Sequence, residues 1–455
     1  MVRAFSTVAP GPAATAVTIA AGSVPRVRAG SSDHPALDAL DAFDAFVAEI
    51  FERLPRADQR RWAHVYTRGL LTVPGRKTVR RLAATVSDSA TAAQALHQFV
   101  NASPWDWEPV RARLADWVIR RSGPRALLLG TAVLPKRGDR SCGVHRRFVP
   151  QEGRTVNCQV GIGAFLAADR ATVPVDWRLL LPGAWSADPQ VRDRARVPED
   201  AAGTQDSAAA QALDLVDGVD LSRAGTGAGA GPDGVPVVAD LVGFADTAAL
   251  AAGLAVRGRR FVVAVPGDLV VLGPPAVPAG VGAGALPTRT GAGAVPTRPA
   301  GGGVTVRSLL AAHDARLSGR PPGAPVVPVR LPGVPVPLRL TVERRPSEAG
   351  GDRFWLTDLV DRPARETPAL ARLHTGAADT MERLADDFGL RAFEGRSYPG
   401  WHHHMTLVSA AFAYGALGRA ATPPTHVARA SRGPQPSRPP RRARTLTTPT
   451  RTGCS

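Results

Sequence analysis

The chain has 455 residues, 44% of them hydrophobic, enough for two or three domains and a sizeable core. Its formal net charge is +17 and its isoelectric point about 11.3, which makes polyanions the first partners to consider. No run of about 18 apolar residues is free of charges or Gly/Pro breaks, which excludes a membrane-spanning segment.

The positive charge is nearly all arginine, with Lys77 and Lys136 the only lysines. Arginine forks match phosphate oxygens and so favour nucleic acid. A GC-rich coding bias accounts for the scarcity of lysine but not for the excess of positive charge. The three cysteines, Cys142, Cys158 and Cys454, are too few and too uneven for a disulfide framework and point to a reducing cytoplasm. No four-ligand zinc set surrounds them, so Cys142 and Cys158 read as small buried residues.

Residues 1–34 read as a disordered arm. The first 32 contain no acid, and AATAVTIAAG is too weakly apolar for a signal-peptide core. From Leu37 apolar residues recur at helical spacing through Leu54, where Pro55 ends the pattern. Further helices are predicted over 60–71, 76–86, 91–100 and 110–121. Residues 35–122 therefore read as an all-helical N-terminal domain.

The period changes at Arg125. RALLLGTAVLP predicts a buried strand; VHRRFVP and TVNCQVGIGAFLA predict two strands joined by a hairpin at 151–153; VPVDWRLLLP predicts a fourth. VPVVAD, ending at Asp240, is a short buried strand, 246–256 a helix, and RRFVVAVP the next strand. This alternation indicates an α/β fold. Residues 201–235 read as a Gly/Ala-rich loop. Residues 267–303 read as low-complexity linker containing two tandem nonapeptides, GAGALPTRT and GAGAVPTRP at 282–299. Strands are expected over 325–345 and 354–359, with prolines marking sheet edges. The last helices are expected at 377–388 and 400–418, followed by a disordered basic tail at 421–455.

Several blocks carry a resemblance: LLTVPGRKTVRRLA at 70–83, LHQFVNASPWDW at 96–107, LPKRGDRSCGVHRRFVPQEGRTVNCQVGIGAF at 134–165, VPVDWRLLLPGAW at 173–185, VVAD at 237–240 and FGLRAFEGRSYPGWHHHMTLV at 388–408. In this order they resemble insertion-sequence transposases related to insertion sequence 701, over about residues 40–415. The resemblance implies an RNase H-like α/β catalytic-type domain at 123–420. A β-containing insertion at about 267–360 interrupts it, and the helical domain at 35–122, taken as DNA-binding, precedes it. It also implies double-stranded DNA as partner, a bacterial cytoplasmic, nucleoid-associated location, and no membrane. It leaves a homodimer open.

The implied chemistry is Mg²⁺-dependent strand cleavage and transfer by an Asp, Asp, Glu set, whose hard carboxylate oxygens would hold two ions. The first acid is expected at Gly130 or Thr131, where none stands. The second aligns with Asp240, the one surviving catalytic acid and metal ligand. The third, counted twelve residues back from Leu390, falls on Ala378; Glu382, one turn on, is a possible substitute. The resemblance therefore implies a transposase-family DNA-binding protein with impaired catalysis, and Mg²⁺ only if it is active. The alternatives are a domesticated non-catalytic DNA-binding or regulatory protein and a decayed gene product.

Candidate phosphate contacts are Arg76, Lys77, Arg80, Arg81, Lys136, Arg146, Arg147 and Arg396, weighed against solvated surface. His402, His403 and His404 would splay by about 100° each on a helix, so they cannot converge on one metal ion. Trp105, Trp107, Trp177 and Trp185 read as core rather than as base-stacking platforms.

Overall fold

A computed structural model describes residues 35–86, 89–149, 153–199, 201, 207–222, 224, 234–273, 303–316, 326–345 and 351–418. Five helices come first: α1 (Pro35–Ile50), α2 (Ala57–Thr72), α3 (Val79–Ala83), α4 (Ala90–Asn101) and α5 (Glu108–Ser122). Side-chain caps set two of their starts. Thr78 accepts from the Arg81 amide, so α3 begins at Val79 and is shorter than the pattern over 76–86 suggests. Ser89 caps α4 in the same way.

The second part is a mixed sheet. Its strands are β1 (Ala126–Pro135), β2 (His145–Val149), β3 (Arg154–Ala167), β4 (Thr172–Leu179), β5 (Val237–Ala239) and β6 (Phe261–Val265). Three more follow: β9 (Val326–Val329), β10 (Leu338–Glu343) and β11 (Arg353–Thr357). A separate small ribbon pairs β7 (Val270–Val271) with β8 (Val304–Thr305). The main order is β2-β3-β1-β5-β6-β11-β10-β9, with β4 also on β3. β3 is antiparallel to β1 and β4, while β1, β5 and β6 run parallel. This arrangement is compatible with the RNase H-like core that the resemblance implies. The insertion strands extend the same sheet, with β11 antiparallel to β6 and β9 at the edge. Pro328 lies on that edge strand, where its missing N–H costs no central ladder bond.

The remaining helices are α6 (Ala184–Ala187), α7 (Pro189–Ala195), α8 (Ala208–Gly218), α9 (Thr247–Val256), α10 (Val306–Arg316), α11 (Glu366–Asp386) and α12 (Tyr398–Ala413), the last followed by a π-helical turn at Tyr414–Gly418. Three of these correct the expectations. The loop expected at 201–235 contains α8, because Ser207 caps a run of alanines with high helix propensity. α10 lies inside the expected insertion. α11 starts at Glu366, well before 377.

The N-terminal helices form as expected but do not close a core of their own. α12 is buried on nearly every face and packs on α2, α4 and α5 as well as on β4, so one hydrophobic core runs through both parts. Close approach of α12 to the sheet depends on glycine. A Cβ on Gly161 would come within 3.0 Å of the Trp401 ring of α12; within the sheet, one on Gly163 would meet the Trp177 ring of β4 at 2.7 Å. Among the described residues no helix is long and apolar enough to cross a membrane. The expected arm at 1–34, the tail at 421–455 with Cys454, the tandem nonapeptides, and the hairpin turn at 151–152 lie outside the described residues.

Candidate active site

β5 ends at Ala239, and the next residue continues its parallel register: the Asp240 amide donates to the Leu129 carbonyl at 3.3 Å. Asp240 therefore stands beside Gly130 at the middle of β1. Its side chain is 5% exposed, so its partners and not water determine its state. Oδ1 lies 3.5 Å from the Val242 amide. Oδ2 accepts from the Arg353 guanidinium, carried by the first residue of β11. His374 Nδ1, from α11, lies 3.8 Å from the same oxygen.

A second charged layer surrounds this group. Trp355 Nε1 donates to Glu343 Oε2 at 3.2 Å, and Arg345 pairs with Glu343 Oε1 at 2.9 Å. Burial pushes His374 down to about 4, helped by the positive charges of Arg353 and Arg345 and opposed by Glu343. The imidazole is neutral at physiological pH, and Arg353 supplies the charge that balances Asp240. A cleft of about 560 Å³, lined in part by Val242, Arg307, Arg353 and Phe354, opens beside this ion pair.

The expected acid positions fall out differently. Gly130 contributes no ligand, although a Cβ there would find its nearest neighbour, a Phe165 ring carbon, at an ordinary 3.7 Å. Ala378 is exposed, and so is Glu382. The α11 residue that reaches Asp240 is His374, one turn before Ala378. Its sequence signal was the i, i+4 spacing from the expected position. Arg353 had no signal, because it arrives on a strand of the insertion. Two Mg²⁺ ions require several convergent hard oxygens. Here one carboxylate is present and a guanidinium covers one of its oxygens, so the donor set does not fit the metal pair. Among the described residues no group of three His, Cys, Asp or Glu side chains is placed to hold a metal.

The candidate phosphate contacts separate into two kinds. Arg76, Arg80, Arg146 and Arg396 are exposed; Arg76 faces Glu394 at 3.6 Å. Arg81 is exposed but donates to the Pro74 and Arg76 carbonyls at 2.8 and 3.0 Å. Lys77 is a correction: it is 6% exposed, and its ammonium group donates to the Val73 carbonyl. Lys136 is half-buried, donates to the Phe393 carbonyl at 2.6 Å, and is pushed down to about 8 by burial. The Arg147 guanidinium donates to the Gly243 carbonyl and lies over the Phe244 ring at 4.3 Å.

The histidine triplet is a set of three separate fasteners. His402 Nδ1 lies 3.1 Å from Arg111 Nη2 and its ring stacks on Trp107. His403 stacks on Trp105, with Nδ1 and Nε2 each 2.8 Å from a carbonyl, of Val100 and Trp105. His404 Nε2 faces the Gly389 carbonyl at 3.1 Å, so that nitrogen carries the proton and Nδ1 accepts from the Tyr66 hydroxyl at 2.9 Å. Each ring serves a different part of the N-terminal helices, as the 100° splay requires. Trp105, Trp177 and Trp185 are buried core, and Cys142 and Cys158 are buried without a disulfide.

The sequence profile of the DDE superfamily endonucleases matches residues 49–298. The match takes in both Gly130 and Asp240 and ends before α11. Enzymes of that family are transposase-like, act on DNA and generally use Mg²⁺. No curated protein matches this chain in sequence. With more than half its length under the profile, and with a mixed sheet that places Asp240 beside the middle of the first strand, the chain belongs to the DDE superfamily endonucleases.

Proposed function

We propose that the chain is a DNA-binding protein derived from a transposase of the insertion sequence 701-related group, and that its strand-cleavage chemistry is impaired. The observation that carries this reading is the Arg353–Asp240 ion pair. A guanidinium lies on the carboxylate where a catalytic relative needs a metal ion, and neither Gly130 nor Ala378 offers a second acid. The net charge of +17 and the exposed Arg80, Arg146 and Arg396 support binding of the DNA backbone.

A plasmid-nicking assay with Mg²⁺ or Mn²⁺ tests the catalytic half: no nicking above the protein-free control is expected. Robust nicking that disappears in Asp240→Ala sinks it. Duplex binding measured against salt tests the other half, with affinity expected to fall steeply as salt rises. A slope near zero removes it. The hydrogen-bonded histidine fasteners and the continuous core through Leu417 favour a retained, domesticated protein over a decayed one.

A further inference from the structure

We infer that the β2–β3 hairpin is a base-stacking finger, in which Phe148 covers an unpaired nucleobase while Arg146 holds a neighbouring phosphate. The inference rests on the DNA-binding reading above and specifies the DNA structure that would be preferred.

β3 is longer than its partner β1. Pro135, the last residue of β1, pairs with Cys158, and the stretch 154–157 of β3 continues outward against β2. The hairpin therefore projects past the end of β1, on the same end of the sheet as Asp240. Alternation along β2 places Arg146 and Phe148 on one face, opposite Asn157 and Thr155, and places His145, Arg147 and Val149 on the other.

Arg147 anchors that second face, through the Gly243 carbonyl and the Phe244 ring, to the loop that follows Asp240. On the first face Asn157 donates to the Gly138 carbonyl, while Arg146 and Phe148 remain exposed. Phe148 is 58% exposed, and among the described residues it is the one exposed Phe, Tyr or Trp. Arg137, Arg140 and Arg146 are exposed nearby, and between residues 136 and 149 the one acid is Asp139.

An exposed ring in a cationic setting is the composition of a nucleic-acid stacking platform: the arginines track the backbone and the ring covers a base face. Paired bases in a duplex offer no free face, so the partner is DNA with an extruded, bulged or frayed base. Five positions along β1 and three along β3 separate Gly130 from the level of Phe148, roughly 26 Å at 3.3 Å per residue. At about 3.4 Å per base pair, the stacked base lies some seven or eight pairs from DNA seated at Asp240.

The test compares the full-length protein on an intact 30-mer duplex and on the same duplex with one bulged 2-aminopurine, reading anisotropy for affinity and 2-aminopurine fluorescence for stacking. Wild type should bind the bulged duplex about tenfold more tightly and quench the fluorophore. Phe148→Ala should lose both the preference and the quenching while keeping its affinity for the intact duplex; Phe148→Trp should restore both. Arg146→Gln should weaken both duplexes equally and lower the salt slope by about one.

Equal loss on the two duplexes in Phe148→Ala, or unchanged quenching, overturns the inference and leaves DNA binding standing. Absence of any wild-type binding overturns the DNA reading itself. A change of mass on size exclusion in Phe148→Ala, with the duplex preference kept, makes the ring a self-association contact and also overturns it.

Discussion

The Arg353 guanidinium lies against the Asp240 carboxylate, so the first residue of β11 is joined to the residue that follows β5. Asp240 precedes the long insertion and Arg353 lies within it, so their pairing fastens the insertion to the core of the sheet. Asp240 is nearly sealed from water, whereas Arg353 is about one-third exposed and borders an open cleft. The carboxylate therefore depends on the guanidinium more than the guanidinium depends on it.

Removing the cation should leave a poorly solvated charge. Arg353→Met is expected to destabilise the fold by about 1–3 kcal/mol, the cost of a buried group left without its partner. Asp240→Asn in the same chain should recover much of the loss, because the uncompensated charge goes with it. Urea unfolding of the two single variants and the double variant checks this. Strictly additive effects would show that the pair is not coupled.

The same geometry specifies how a metal site could be built here. Gly130→Asp has room for its Cβ, and Arg353→Gln uncovers Asp240. A third carboxylate belongs at 374, the α11 position that reaches Asp240, rather than at 378. Calorimetric titration with Mn²⁺ should show binding for the chain with Gly130→Asp, Arg353→Gln and His374→Glu. It should show markedly weaker binding when Ala378→Glu replaces the change at 374. The reverse order would mean that α11 presents 378 to the site.

Acid should weaken the fold in a defined window. His404 is pushed down to about 4 by burial and the positive charge of Lys136, against the pull of its carbonyl partners. Burial likewise lowers His403 to about 4, outweighing its two carbonyl neighbours, and holds His402 well below the usual range, helped by Arg111. A neutral His403 ring has one N–H, so only one of its two 2.8 Å contacts is a hydrogen bond at neutral pH. The unfolded chain takes up these protons near pH 6.5 and the folded chain only well below it. Between those limits the unfolded state binds more protons, and stability falls as pH falls. Each ring contributes about 1.4 kcal/mol per pH unit until its folded form titrates. The urea midpoint should decline steadily from pH 7 toward pH 4. A profile that is flat down to pH 4 would contradict the assignment of neutral rings.

The link between the helices and α12 can be cut at one hydrogen. Tyr66→Phe removes the hydroxyl that donates to His404 Nδ1 and leaves that nitrogen buried without a donor. A loss of about 1–2 kcal/mol is expected, read as a lower thermal midpoint with unchanged far-ultraviolet circular dichroism. An unchanged midpoint would mean that His404 adopts the other tautomer and is satisfied elsewhere.

Local pattern carried most of the elements. The apolar run ALLLG, the alternation through β3, and the helical spacing from Leu37 each follow from residues within one element, so they could be read without knowing what packs against them. α8 was missed because an alanine-rich segment beside glycines reads as low complexity, although its cap at Ser207 and its alanine content favour a helix. The shared core was missed for a different reason: Tyr66 meets His404 and Arg111 meets His402 across some 300 residues of chain.

By itself the sequence determined the chain order of the matching segments, the lack of an acid at 130 and 378, and the presence of one at 240, since each is a matter of residue identity at a countable position. Only the tertiary structure decided what Asp240 does. Its ion pair with Arg353 and its neighbour His374 come from β11 and α11, two elements more than a hundred residues away that the sheet order brings to the end of β5. A carboxylate's chemistry is set by the charges within a few ångströms of it, and those neighbours are assigned by packing and not by spacing along the chain.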